Sequence, residues 1–199
     1  MSIISPITLL IVPIIGSIVI VLYPSFSAHN SGIPLRLNNI NLASLRSAVE
    51  ESNLKKIAII TSLFNFLISV VLWVEFDSSY IGYQFVSTFS PLGLEFIQFN
   101  SGLDGISLFF VLLTTFITPI ALLSSHNDID KNLKFYLVSI LLLETLQIAV
   151  FVVLDLLLFY IFFESVLIPL FFIVGVWGAS SAKVRAAFLL FLYTLKKSV

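Results

Sequence analysis

The chain has 199 residues, of which 59% are hydrophobic and 11% charged, with a mean hydropathy of +1.11 and a net charge of −1. That composition excludes a soluble domain of this size and predicts an all-α, polytopic transmembrane helix bundle in a lipid bilayer. The near-neutral charge gives no electrostatic case for a nucleic-acid partner. The absence of cysteine removes disulfides and iron–sulfur ligation.

In chain order, the first predicted helix covers residues 3–23, bent at Pro6 and Pro13. It is long enough to stay in the membrane rather than be cleaved as a signal, and no Arg-rich presequence precedes it. A polar loop over 24–56 follows, with a weak helical pattern in LASLRSAVEES and Lys55–Lys56 at its end. The second helix covers 57–74 and ends beside Trp73, an interface anchor. A second polar loop, 75–103, carries Glu75, Asp77 and Glu95 and no Lys or Arg. Helix three spans 104–125 with Pro119 inside it. Helices four and five cover 135–153 and 156–177, and a partial sixth covers 184–195, so the expectation is five full spans and part of another. His29 and His126 both fall in polar segments, which argues against a bis-His haem, and no glycine-rich nucleotide fingerprint is present.

The basic residues alternate between loops. Arg36, Arg46, Lys55 and Lys56, then Lys131 and Lys134, then Lys183 and Arg185 fall between helices one and two, three and four, and five and six. The intervening loops carry none. By the positive-inside rule the basic loops face the cytoplasm or matrix and the N-terminus faces the other side.

Phe135 to Gly178 holds no Lys or Arg and three acids, Glu144, Asp155 and Glu164. Asp155 reads as the turn and helix cap. Glu144 precedes it by eleven residues and Glu164 follows it by nine, so both carboxyls lie about 15 Å from the turn. That is the middle of a hydrocarbon core about 30 Å thick. Ionisable groups at that depth face the protein interior and mark proton or ion paths, the alternative being a polar clamp between helices. Gln147, one turn after Glu144, is a structural partner for it. Pro169, five residues after Glu164, frees backbone carbonyls that can hold water.

Phe162–Phe163–Glu164–Ser165–Val166–Leu167–Ile168–Pro169, followed by Gly175–Val176–Trp177–Gly178, resembles the helix-five signature of the antiporter-like membrane subunits of respiratory complex I. Leu103–Asp104–Gly105–Ile106–Ser107–Leu108, Leu143–Glu144, Lys183–Val184–Arg185–Ala186–Ala187 and Leu192–Tyr193–Thr194–Leu195 resemble the same family at helices three, four and six. The resemblance implies a proton-translocating subunit of NADH:ubiquinone oxidoreductase, with Glu164 and Glu144 on the proton relay. It implies a Lys partner for Glu164 on a later, broken helix. NADH, FMN, iron–sulfur clusters and ubiquinone are implied in other subunits, with no cofactor in this chain. The implied partners are the other membrane-arm subunits. The implied site is the mitochondrial inner membrane, as a fungal version, with a bacterial plasma membrane as the alternative. Family members have about fourteen helices, and Lys196–Lys197–Ser198–Val199 departs from the expected small-residue continuation, so the sequence is expected to be a truncated or N-terminal segment, or an exon read into an intron. The competing readings are a secondary cation/proton antiporter subunit and a non-transporting structural remnant.

Overall fold

In the computed structural model, residues 5–23, 36–37, 40–89, 99–125, 129 and 132–198 are described. The expectations resting on residues 3–4, His29, Glu95, His126 and Lys131 lie outside them. Six helices form: α1 Pro6–Leu22, α2 Leu42–Glu75, α3 Gly105–Ser124, α4 Leu133–Val152, α5 Leu156–Trp177 and α6 Lys183–Ser198. Each predicted helix is present, and α5 has the predicted bounds. Val49–Glu75 and helices α3, α4 and α5 are long and apolar enough to cross a membrane, and α1, at 17 residues, sits at the short limit for a span.

Two polar segments differ from expectation. Residues 42–56, predicted as loop, are helical and continuous with the second span. Leu42–Glu75 contains neither Gly nor Pro, and its Ala, Leu, Glu and Lys residues are good helix formers, so Lys55–Lys56 mark a boundary of polarity but not of helix. The 75–103 segment contains an antiparallel pair, β3 Gln84–Phe89 and β4 Phe99–Leu103, with a bulge between Gln84 and Ser87. A smaller pair, β1 Arg36–Leu37 and β2 Ile40–Asn41, precedes α2.

Helix α4 is the centre of the bundle. Ten of its 20 residues are buried, in a stripe from Leu133 through Tyr136, Ile140, Glu144 and Ile148 to Val152. It packs on α1, α2, α3 and α5. Only Leu167 and Pro169 are buried on α5, which packs chiefly on α4 and α6 and sets Phe162 edge-on against Phe99 of β4. The β3–β4 hairpin lies at the same end as the α4–α5 turn. Ser101 bridges to Val153, and Leu154 N donates to Asn100 O at 2.9 Å. The hairpin thus fixes the turn from which the two carboxyl-bearing helices diverge.

Lysines hold the opposite end. Lys134 Nζ donates to Tyr23 O at 2.9 Å, and Lys183 Nζ donates to Val176 O at 2.6 Å. Both ammonium groups meet carbonyls at helix C-termini, where cations are favoured.

Candidate functional site: buried carboxyls in the span region

Asp155 sets the geometry of the site. Its carboxylate accepts from Leu157 N at 2.8 Å and Leu158 N at 3.4 Å, capping α5 as its sequence position predicted. Only Val153, Leu154 and Asp155 separate α4 from α5. Glu144 lies eight residues before the end of α4, and Glu164 lies eight after the start of α5. At the helical rise, each stands about 12 Å from its helix end, so the two match in depth.

Their surroundings differ. Glu144 is 0% exposed. Asn65 Nδ2, on α2, donates to its Oε1 at 2.7 Å, and its Oε2 has no hydrogen-bond partner among the described residues. Glu164 is half-buried as a residue, yet both of its carboxyl oxygens are buried and without a partner among the described residues. An unsatisfied buried polar group costs about 1–3 kcal/mol, more when charged. Such groups persist in spans where something further meets them or where they carry protons.

Gln147, the partner expected for Glu144, instead lines a cavity of about 460 Å³ between α3, α4 and α5, with Thr114, Thr118 and Tyr136 on its walls. Asn65 takes the pairing role because α2 packs against α4 at that height. The sequence reading missed it. The signal was there: Ala58, Ser62, Asn65, Ser69 and Leu72 repeat at alternating four- and three-residue spacing, and all are fully buried. Ser69 and Thr115 continue the polar seam to α3, their hydroxyls 2.8 Å apart.

A cavity of about 350 Å³ lies beside Pro169, lined by Leu10, Ile14, Thr145, Ala149, Ser165 and Pro169 among others. The two hydroxyls on its wall donate to their own helices, Thr145 to Leu141 O at 2.8 Å and Ser165 to Ile161 O at 2.7 Å. The walls are otherwise apolar, and cavities of that kind stay dry. The water expected at the kink therefore finds no polar seat there among the described residues.

Among known proteins, the family described as "NADH:quinone oxidoreductase/Mrp antiporter, TM" matches residues 153–199, a stretch that includes Glu164 and Pro169. NADH-ubiquinone oxidoreductase chain 4 of Mycosarcoma maydis is 63% identical over 145 residues, covering 73% of this chain and 30% of that protein. Chain 4 of Arabidopsis thaliana is 44% identical over 191 residues, covering 96% of this chain and 34% of its own.

The chain is homologous to the antiporter-like chain 4 subunits of complex I. It spans about a third of the length of these relatives. In fold, it matches a chain of the structure titled "Respiratory complex I from Thermus thermophilus with bound NADH", with a TM-score of 0.69 and 20% identity, over 98% of this chain and 34% of that one. The likeness in fold thus extends through α1 and α2, which lie outside the family match. Asn65 and Glu144 also precede that match, in helices that the Arabidopsis relative's alignment reaches by its extent.

Proposed function

We propose that the chain is part of a proton-translocating membrane-arm subunit of NADH:ubiquinone oxidoreductase in the mitochondrial inner membrane. The observation that carries this reading is the pair of depth-matched acids, Glu144 and Glu164, whose carboxyls are buried in spans and leave three oxygens without partners. Homology to chain 4 subunits supports the oxidoreductase complex as the setting. Electron transfer, with NADH, FMN, iron–sulfur clusters and ubiquinone, belongs to other subunits. This chain's part is to move protons in step with it.

Proton movement follows from the side chains. A carboxylate takes a proton on one oxygen, forming an O–H bond as a hydronium O–H bond breaks, and releases it by the reverse. Two such groups at one depth on adjacent helices can pass a proton laterally when water or a polar side chain joins them. The sparsely buried outer face of α5 is where neighbouring membrane-arm subunits pack.

The test is Glu164→Gln in the assembled complex. Proton-coupled quinone reduction should fall severalfold while the complex assembles, and Glu164→Asp should keep part of the activity because it keeps a titratable carboxyl. Turnover of Glu164→Gln at the unmodified rate would reduce the residue to a structural clamp. The second reading, a cation/proton antiporter subunit, draws on the family description, which names Mrp antiporters too. Growth rescue of a strain lacking sodium/proton antiporters would favour it.

A further inference from the structure

Asn65 and Glu144 are both 0% exposed and sit on different helices, α2 and α4. One hydrogen bond joins them, from Asn65 Nδ2 to Glu144 Oε1 at 2.7 Å, short for an N–H···O bond. Each leaves one acceptor buried and unpaired, Asn65 Oδ1 and Glu144 Oε2. Few pairs of this kind are tolerated in a span, because each unpaired acceptor is costly in hydrocarbon. An apolar residue at position 65 would remove Asn65 Oδ1 but leave Glu144 Oε1 without its donor, so the pair is what keeps one carboxyl oxygen satisfied.

We infer that Asn65 is the positioning residue of the Glu144 carboxyl, fixing which of its oxygens exchanges a proton. An amide N–H can only donate, so the oxygen it holds, Oε1, is confined to the acceptor role. The exchangeable proton is then borne by Oε2. There it faces no competing protein donor among the described residues, and Asn65 Oδ1 offers a second acceptor on the same residue pair. A water entering the pair can donate to Asn65 Oδ1 and accept from Glu144 Oε2–H. When a hydronium ion gives its proton to Oε2, one O–H bond breaks and one forms, and the carboxylate becomes a carboxylic acid with the Asn65 bond intact. The torsion of the carboxyl is held throughout, because turning it by a quarter revolution would take both oxygens away from the Asn65 amide and break the bond. The Ser69–Thr115 pair one turn along α2 ties this face of the helix to α3, so Asn65 is presented from a helix fixed on both sides.

This inference rests on the relay role of Glu144, and a mutant cycle separates the two. Four forms of the complex are compared for proton uptake and quinone reduction in liposomes: unmodified, Asn65→Leu, Glu144→Gln, and both together. Asn65→Leu keeps the branched shape of the side chain and deletes the donor. It should slow coupled turnover about five- to tenfold, the scale of a lost hydrogen bond between uncharged groups. In the Glu144→Gln background the same change should have no further effect, because Asn65 acts only through Glu144. An equal loss in both backgrounds would show a merely structural Asn65 and overturn the inference while leaving the relay standing. Unmodified turnover in Glu144→Gln would overturn both. Should Asn65→Leu fail to assemble, Asn65→Asp, which keeps the side chain's shape, is put through the same cycle. Infrared difference spectra of the complex give an independent readout. The Glu144 carbonyl stretch should move to higher frequency in Asn65→Leu, and an unmoved band would show that the bond does not hold the carboxyl.

Discussion

Gly16 of α1 packs closely against Thr61 of α2, and replacing it tests whether their packing is as tight as the structure shows. A Cβ at position 16 would run into the Cγ2 methyl of Thr61 and stand 2.9 Å from its Oγ1. Thr61 cannot turn away freely, because its hydroxyl donates to Ile57 O at 2.8 Å and fixes its rotamer. Two effects oppose one another in Gly16→Ala. Alanine favours the helix over glycine by about 1 kcal/mol. Overpacking costs about 1–3 kcal/mol. The net expectation is a loss of about 1 kcal/mol with Thr61 present. Thr61→Ala removes the methyl and the hydroxyl and leaves only a Cβ, 3.1 Å from the new one, which a shift of a few tenths of an ångström relieves. In that background Gly16→Ala should be close to neutral. The assay is the midpoint of SDS-induced unfolding of the chain in mixed micelles, read for all four members of the cycle. An equal cost with and without Thr61 would refute the close approach of the two helices.

Further expectations follow from the loop ends. Asp104 caps α3 by accepting from Ser107 N at 2.7 Å, and that bond, with the Ser107 hydroxyl, holds its carboxyl below its ordinary value of 3.8. Its stabilisation is therefore present above the unfolded-state value and lost as pH falls through the lowered one. Asp104→Ala should cost about 1 kcal/mol at neutral pH and little at pH 2, measured by the same unfolding assay. For topology, Ser78 and Ser181 are exposed at opposite ends of the bundle, one before α3 and one after α5. Cysteines placed there should react with a membrane-impermeant thiol reagent from opposite sides, Ser181 from the side of the basic loops. Labelling of both from one side would contradict the charge rule.

The helices were legible because a bilayer demands long apolar runs, and the α5 bounds were legible because Asp155 and Gly178 punctuate them. The α4–α5 turn and the depth of Glu144 and Glu164 followed from simple residue spacing. The helix over 42–56 was only faintly legible, as a weak pattern in LASLRSAVEES, and its continuity with the second span was not. Charged residues such as Glu50 and Lys55 mask helical continuity when hydropathy alone is read. The β3–β4 hairpin was hidden for a different reason. Its strands are short and its register is broken by a bulge at Phe85, whose φ of 53° lies in the left-handed region. The pairing of Glu144 was assigned to Gln147 because neighbours on one helix are visible in sequence. Asn65 lies 79 residues away, and only the packing of α2 on α4 brings it near.

The account's central claim is that the buried carboxyls carry protons. The most direct measurement is the number of protons moved per NADH oxidised by the complex in sealed liposomes, for the unmodified protein and for Glu144→Gln and Glu164→Gln. The account predicts that each substitution, in a fully assembled complex, lowers coupled turnover or the proton count. An unchanged rate together with an unchanged count in both variants would contradict it.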